Sequence, residues 1–414
     1  MIRLAYLVTH PIQYQAPFLR ALAQEPDIAL TVFFASAQGA EAYLDPDFGQ
    51  RFAWDQDLLA GYAWEVLCDQ TPAPPVTAWR PFPRGFGVKL RQGRFDVLWL
   101  HGYSRPHHLL SLWQAKRSGI KVVIRDEVNA ISRPRSALKK LLKKPLLRWV
   151  TGSADALFAI GQYNAAFWQQ AGAPPDRIHA VPYGIDNDRF RQAAEVARQD
   201  GTVSALHKAW GLPSGTGPNG LDRPVFLFLG KLIPRKDPAV ILDALAELPA
   251  DRRPHMIFVG DGPQRADLEA FVEARGLNAT DGTGARVLFD GFQNQTDLPG
   301  RIAASDCLIL PSREEAWGLV VNEAMSCGLP ALVSDRVSCA PDLILPGRTG
   351  WTFPAGNAKA LAASLIAAST ALADPDQVAE MRNSVQTQVA TYDTTHGAAL
   401  AATALRILCA AAER

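Results

Sequence analysis

Apolar residues fall in short runs separated by polar and glycine-bearing turns: Ile2–Val8, Ile28–Phe34, Asp96–Leu100, Lys121–Ile124, Ala156–Ile160 and Ile178–Val181. Runs this short, and apolar almost throughout, predict strands buried on both faces, with helical patterns between them predicting a parallel sheet. A second series begins at Val225–Leu229 and continues through Met256–Val259, Val287–Phe289, Cys307–Leu310 and Ala331–Val333. Between the series, residues 191–222 become rich in Gly, Pro and Ser and show no sustained strand pattern, so they read as a linker with an insertion. Ala398–Arg414 is Ala- and Leu-rich and predicts one strong terminal helix. The expected architecture is α/β: doubly wound domains over 1–190 and 223–395, the linker 191–222 between them, and a terminal helix over 396–414. Ligands of open parallel sheets collect beyond the carboxyl ends of the strands, which makes a cleft between two such ends the expected site.

Composition narrows the function without naming it. The chain has 414 residues, 48% hydrophobic and 20% charged, which excludes a disordered chain. Its net charge of +1 excludes a global field favouring nucleic acid, which is not an expected partner. The charge is divided, with 22 basic and 16 acidic residues up to 190 (+6) and 20 against 25 beyond it (−5). Cys68, Cys307, Cys327, Cys339 and Cys409 are odd in number and lack CxxC spacing, which argues against a disulfide framework or structural zinc and for a reducing cytoplasm. No apolar stretch reaches the length of a membrane span, so a soluble or peripheral protein is expected.

The segment LILPSREEAWGLVVNEAMSCGLPALVSD, residues 308–335, carries the most chemistry. A buried strand ends at Pro311 and Ser312, and a helix opens at Trp317-Gly318-Leu319 and runs to Cys327, with Gly328 as its C-cap. Amides exposed at a helix start suit a phosphate. Glu315 precedes that helix and Glu323 follows eight residues later, about two turns on, so two carboxylates flank one anion site. A carboxylate beside a phosphate has hydroxyls to accept hydrogen bonds from, and a nucleotide sugar supplies both groups. Upstream, FLFLGKLIPRKDP places Gly230, Lys231, Arg235 and Lys236 at the carboxyl end of a strand, where the cations offset a diphosphate. Taken singly, acids in a first helical turn are as well explained by solvation and a basic turn is better explained by it; their pairing favours the site.

The order GKLIPRKDP, FVGDGPQR and the Glu-x7-Glu segment resembles the donor-binding half of retaining glycosyltransferases of family 4, which have the GT-B fold. The similarity spans Ile178 to Asp335 strongly and most of the chain more weakly. It implies that Lys231 and Lys236 hold the donor diphosphate, that Glu315 contacts the transferred sugar and that the Gly318 and Leu319 amides meet the phosphates. Glu323 then binds the nucleotide ribose. The family usually has Arg at the position of Lys231. VPYGIDNDRF, residues 181–190, resembles the end of the family's first domain, and the helix after Tyr392-Asp393 resembles one that crosses back to that domain.

In the first half, THPIQYQAPF and LWLHGY look like a bacterial polysaccharide-type subset of the family. His10, Pro11, Gln13 and Tyr14 stand where many members have a Gly-rich loop, and Arg125-Asp126-Glu127 stands at an Arg-Gly-Glu-like turn. His10, Gln13, His101 and Arg125 are the expected acceptor-side residues. His101, Asp126 and Glu127 join Lys236 and Glu315 as candidates for catalysis, the identity of any base being open. The resemblance implies front-face attack in which the leaving phosphate takes the acceptor proton, so no metal or other cofactor is expected. SRPRSALKKLLKKPLLRWV, residues 132–150, carries seven basic residues and no acid, with Leu138, Leu141, Leu142, Leu146 and Trp149 interleaved. It suits either an anionic membrane surface, such as the inner face of the plasma membrane, or a solvated helix edge, and Pro145 is expected to interrupt it.

The expected function is sugar transfer from a nucleotide sugar to a saccharide or lipid-linked acceptor. A nucleotide-sugar epimerase of the same architecture and a noncatalytic saccharide-binding relative are the alternatives.

Overall fold

A computed structural model describes all residues except 40–42, 46–49, 53–54, 69–72, 74–75, 78, 132–136, 216–219, 279–283 and 411–414. The chain forms two compact units: Met1–Tyr43, Arg51–Ile185 and Tyr392–Arg414 make the first, and Asp186–Thr391 is the bulk of the second. The strands up to Ile185 are β1 (Ile2–Val8), β2 (Ile28–Phe34), β3 (Tyr43–Asp45), β4 (Gln50–Phe52), β5 (Ala63–Val66), β6 (Val97–His101), β7 (Lys121–Arg125), β8 (Ala156–Ala159) and β9 (Ile178–Ala180), all in the first unit except that β3 and β4 share residues with the segment Leu44–Gln50, which belongs to the second. Among the described residues, seven of them form one parallel sheet in the order β5-β2-β1-β6-β7-β8-β9, while β3 pairs with β4. The helices between are α1 (Gln15–Ala23), α2 (Phe86–Gln92), α3 (Pro106–Arg117), α4 (Ala137–Ser153) and α5 (Gln162–Gln170).

Strand β1 shows why these runs are apolar throughout. Leu4, Tyr6 and Val8 enter the core on one face, and Ala5 and Leu7 enter the core on the other. The first of these cores is closed by the terminal helix α15 (Thr394–Ala410), whose Ala398, Ala401, Ala402 and Leu405 are buried in it. Spacings of three and four place these residues on one stripe, and small side chains let the helix lie close to α1. Arg406 then clasps Asp27 at 2.6 and 2.8 Å and Glu25 at 2.7 Å. The helix begins one turn before the expected Ala398. Strand β5 was not expected, because Ala63 and Trp64 are exposed at the sheet edge and AWEV offers no apolar run.

The expected break at Pro145 is not observed: α4 continues through it. Val150 is buried in the first unit's core and Leu146 and Leu147 pack against it, so the anchoring of the helix outweighs the one backbone bond a proline removes. Arg133 and Arg135 lie outside the described residues, as do the side chains of 137–141.

The second unit begins with α6 (Asn187–Gln199) and α7 (Thr202–Ala209), in the stretch read from composition as linker. Asp186 caps α6 through the Arg189 amide, and Phe190, Ala194 and Ala197 bury one side of it against α10 (Leu298–Ala303) and α11 (Leu319–Ser326). This i, i+4, i+7 pattern is helical, but the Gly- and Pro-rich residues that follow obscured it. The strands β10 (Val225–Leu229), β11 (His255–Val259), β12 (Val287–Gly291), β13 (Cys307–Leu310), β14 (Ala331–Ser334) and β15 (Gly350–Phe353) form a parallel sheet in the order β12-β11-β10-β13-β14-β15. Around it pack α8 (Ala239–Glu247), α9 (Arg265–Ala274), α12 (Ala340–Leu343), α13 (Ala358–Leu372) and α14 (Pro375–Val389). Strand β15 was not expected, since GWTF mixes a glycine and a threonine with its aromatics.

Strand order reverses beside β10, whose neighbours are β11 and β13, and the turns leaving this switch point are held close together. Gly230 donates to Val259 O at 3.0 Å and Leu232 to Asp261 O at 2.9 Å, extending the ladder past the strands. A Cβ on Gly260 would lie 1.9 Å from Gly230 O, and Gly260 sits at φ +134°. Only glycine permits this approach. Gly260→Ala is therefore expected to lower unfolding free energy by about 2 kcal/mol or more in denaturant titrations. Gly152→Ala, in a helix with nothing within 4 Å, serves as the neutral comparison.

Candidate functional site

At the switch point of the second unit, the turn after β10 meets the loop after β13. Arg313 N donates to Arg235 O at 2.9 Å, and the Arg313 side chain pairs with Asp237 at 2.8 Å. Asp237 is itself in the left-handed region, at φ +52°. That conformation, between Lys236 and Pro238, turns Lys236 inward, and its ammonium pairs directly with Glu315. Glu315 is 8% exposed and also accepts from Ser312 Oγ at 3.1 Å, with Arg235 Nη1 3.8 Å away. Burial alone would raise its pKa, but Lys236, then Arg235 and the Ser312 hydroxyl, hold it below the ordinary carboxylate value. Lys231 follows Gly230 on the same turn, half-buried, and Arg235 is exposed. Lys236 and Arg235, expected to be together, are thus brought together on one carboxylate.

Helix α11 opens beside this pair. Gly318, at φ +104°, is its N-cap, and no side chain caps it, so the first-turn amides, Leu319 among them, are open to an anion. A Cβ at Gly318 would stand 3.0 Å from Val337 and 3.2 Å from Leu310, so the loop needs glycine for space as well as for its backbone. Trp317 Nε1 donates to Asn322 at 2.9 Å and fixes the loop to the helix.

Glu323 occupies the next turn of α11 in a different environment. Burial raises its pKa to about 7, against the opposing influence of Gln295, Arg189 and Lys236. Gln295 Nε2 donates to Glu323 Oε1 at 3.2 Å, and Arg189 Nη2 donates to Gln295 Oε1 at 2.8 Å. Neither Gln295 nor Arg189 was singled out in the sequence, although VPYGIDNDRF and FDGFQNQTDLPG contain them.

The first unit has its own switch point, beside β1, whose neighbours are β2 and β6. His10 follows β1 and shares a hydrogen bond with Thr9 Oγ1 at 2.8 Å; burial, then Arg105, lowers its pKa to about 4. Gln13 lies in the turn before α1. His101 has both ring nitrogens engaged, Nδ1 with Tyr6 Oη at 2.9 Å and Nε2 with Gln15 Nε2 at 2.7 Å. Burial, then Arg125 and His10, lowers its pKa to about 3, so it stays neutral and satisfied inside the unit.

Arg125, expected on the acceptor side, is instead 2% exposed. It donates to Val181 O at 2.9 Å and Pro182 O at 2.8 Å, with its guanidinium over the rings of Phe18 and Tyr183. These contacts compensate its burial and turn it away from any ligand. Asp126 and Glu127 follow, both half-buried. Burial and the neighbouring Glu127 raise the Asp126 pKa to about 6, against the pull of the Val128 amide. Glu127 accepts from Tyr14 Oη at 2.5 Å and Tyr183 Oη at 2.9 Å. Tyr183, like Arg189, lies in a segment that the sequence marked only as a boundary.

Residues 217–387 match the model for "Glycosyl transferases group 1", and residues 50–189 match "Glycosyltransferase Family 4". Alpha-D-kanosaminyltransferase from Streptomyces kanamyceticus is 30% identical over 230 residues, covering 54% of this chain and 54% of that protein. D-inositol 3-phosphate glycosyltransferase from Mycobacterium tuberculosis is 36% identical over 179 residues, 43% of this chain and 33% of its own. The chain thus spans about half the length, or less, of these curated relatives. The solved structure of Anabaena Alr3699/HepE in complex with UDP superposes with a TM-score of 0.69 at 18% identity, over 98% of this chain and 100% of that one, which establishes a shared fold. With one of these models on each half and the fold common to both, the chain belongs to the family of GT-B glycosyltransferases described by group 1 and family 4.

Proposed function

We propose that the chain transfers a sugar, with retention of configuration, from a nucleotide-sugar donor to a saccharide or lipid-linked acceptor in the synthesis of a cell-surface polysaccharide or glycolipid. The observation that carries this reading is the buried Lys236–Glu315 pair beside the uncapped start of α11. An ammonium has three donor hydrogens, so Lys236 reaches a phosphate while still bonded to Glu315. With Lys231 and the amides of Gly318 and Leu319, it offsets the negative charge that grows on the diphosphate as the bond to the anomeric carbon breaks. The acceptor oxygen forms the new bond to that carbon, and the leaving phosphate oxygen takes its proton. Charge stabilisation thus falls to the lysines, and no step uses a metal.

Glu315 accepts from hydroxyls of the transferred sugar and Glu323 from the ribose. The names of the relatives, two sugar transferases, support the reaction class.

We assign the protein to the cytoplasm, at the inner face of the membrane. No helix among the described residues is long and apolar enough to cross a membrane. On α4, Leu142 is 71% and Trp149 39% exposed, between the exposed Lys143, Lys144 and Arg148. Apolar side chains rimmed by cations fit an anionic lipid surface.

Nucleoside diphosphates and nucleotide sugars are expected to raise Tm in a thermal-shift screen, because they bind only the folded chain. Glu315→Ala or Lys236→Ala should cut turnover of the donor so identified at least about tenfold at temperatures where the variant remains folded; wild-type rates in both refute the roles. For Glu323 the sign follows from its raised pKa. The folded chain holds this proton to higher pH than the unfolded chain, so its burial costs stability increasingly as pH climbs from 4.5 to about 7. Glu323→Gln should therefore raise Tm relative to wild type at pH 8 and leave it unchanged near pH 4, as melting curves across that range will show. Vesicles containing anionic phospholipid should sediment the protein at low salt and release it as salt rises, and failure to cosediment at low salt removes the membrane assignment.

A further inference from the structure

The turn 126–128 of the first unit is held from several sides at once. Beneath it, Asn164 is 2% exposed and donates to Asp126 O at 3.0 Å and Val128 O at 2.5 Å, while accepting from the Ile160 amide at 3.1 Å. Val128 N closes the turn on Asp126 Oδ1 at 2.9 Å. Before it, Arg125 is anchored on the carbonyls of Val181 and Pro182 and stacks against Tyr183 at 4.4 Å.

This framework presents one carboxylate in a particular way. Tyr14 and Tyr183 meet edge to face with centroids 5.2 Å apart, and both phenols donate to the same oxygen, Glu127 Oε1. Burial, then the Glu127 charge, raises both phenol pKa values well above the ordinary value, so they remain donors. The other oxygen, Oε2, has no hydrogen-bond partner among the described residues. A structural carboxylate is satisfied through both oxygens where it can be; here two donors converge on one and leave its neighbour facing no protein donor. Of the other titratable groups near this turn, His101 is bonded to Tyr6 and Gln15, His10 to Thr9 and Asp126 to the Val128 amide, while His108 is buried at 2% exposure with neither ring nitrogen hydrogen-bonded among the described residues.

We propose that Glu127 receives, through Oε2, the hydrogen bond of the attacking hydroxyl, and that Tyr14 and Tyr183 are positioning residues that hold its carboxylate for that task. The inference rests on the sugar-transfer reading. Glu127 orients the O–H and keeps no proton; the proton leaves with the diphosphate as already described. A phenol pair on one oxygen fixes the carboxylate plane, and a small misplacement of a reacting group costs rate steeply.

The test measures diphosphate release from UDP-glucose, ADP-glucose and GDP-mannose, with water and with methyl glucoside as the attacking hydroxyl, alongside the Tm shift given by UDP, ADP and GDP. Glu127→Gln should lower release about tenfold or more while leaving the nucleotide-induced Tm shift intact. Tyr14→Phe and Tyr183→Phe should each lower release several-fold in the wild-type background and add nothing in the Glu127→Gln background, because they act through that carboxylate. Wild-type release in both phenylalanine variants, or equal losses in both backgrounds, overturns the proposal and leaves the sugar-transfer reading standing. If Tyr183→Phe does not fold, Tyr14→Phe alone decides. A wild-type protein that releases no diphosphate from any of the three donors removes the sugar-transfer reading and this inference with it.

Discussion

A carboxylate taken out of water must be given a counter-charge, and Glu315 is such a carboxylate, 8% exposed at the carboxyl end of the second sheet. Much of the geometry around it follows from that requirement. Lys236 is drawn inward by a left-handed Asp237, which is itself paired with Arg313, and Ser312 turns its hydroxyl onto the same oxygen. The loop is then committed to glycine at 318, because the chain must pass within about a van der Waals contact of Val337 and Leu310 before the helix can start. The consequence is a cation, a carboxylate and an open helix start fixed together by folding rather than by a ligand, which lowers the ordering that binding must impose.

Glu315 and Glu323 share a helix neighbourhood yet are driven apart. Lys236 depresses the first, and burial against a neutral amide raises the second. Two carboxylates with separated pKa values are suited to separate tasks. Glu315 stays ionised beside Lys236 and Arg235. Glu323 accepts instead from Gln295, which Arg189 holds in turn.

How much of this was legible in the sequence depends on range. The buried strands could be read because each is apolar on both faces, whereas β5 and β15 could not, being short and polar at the edge of their sheets. Glu315, Gly318 and Glu323 were legible through spacing along one loop and helix. Arg189 and Gln295 were not, because their bond joins residues 106 apart and no local pattern records it. Arg125 shows the converse limit. Its position at the end of β7 was right, but sequence position does not say which way a side chain points, and two backbone carbonyls and two rings turned it into the core.

The two sheets begin with the same strand order, 3-2-1-4-5-6, with a seventh strand added in the first unit, and so offer the same kind of ledge at their switch points. What differs is the chemistry set on the ledge. In the second unit it is ammonium groups and free helical amides, which suit an anion. In the first it is phenols, a carboxylate and neutral imidazoles, with the local guanidinium of Arg125 buried behind them. A surface that presents acceptors and withdraws its cation favours neutral hydroxyls over phosphates. The two units therefore differ in which charges they expose and which they bury, on one fold used twice.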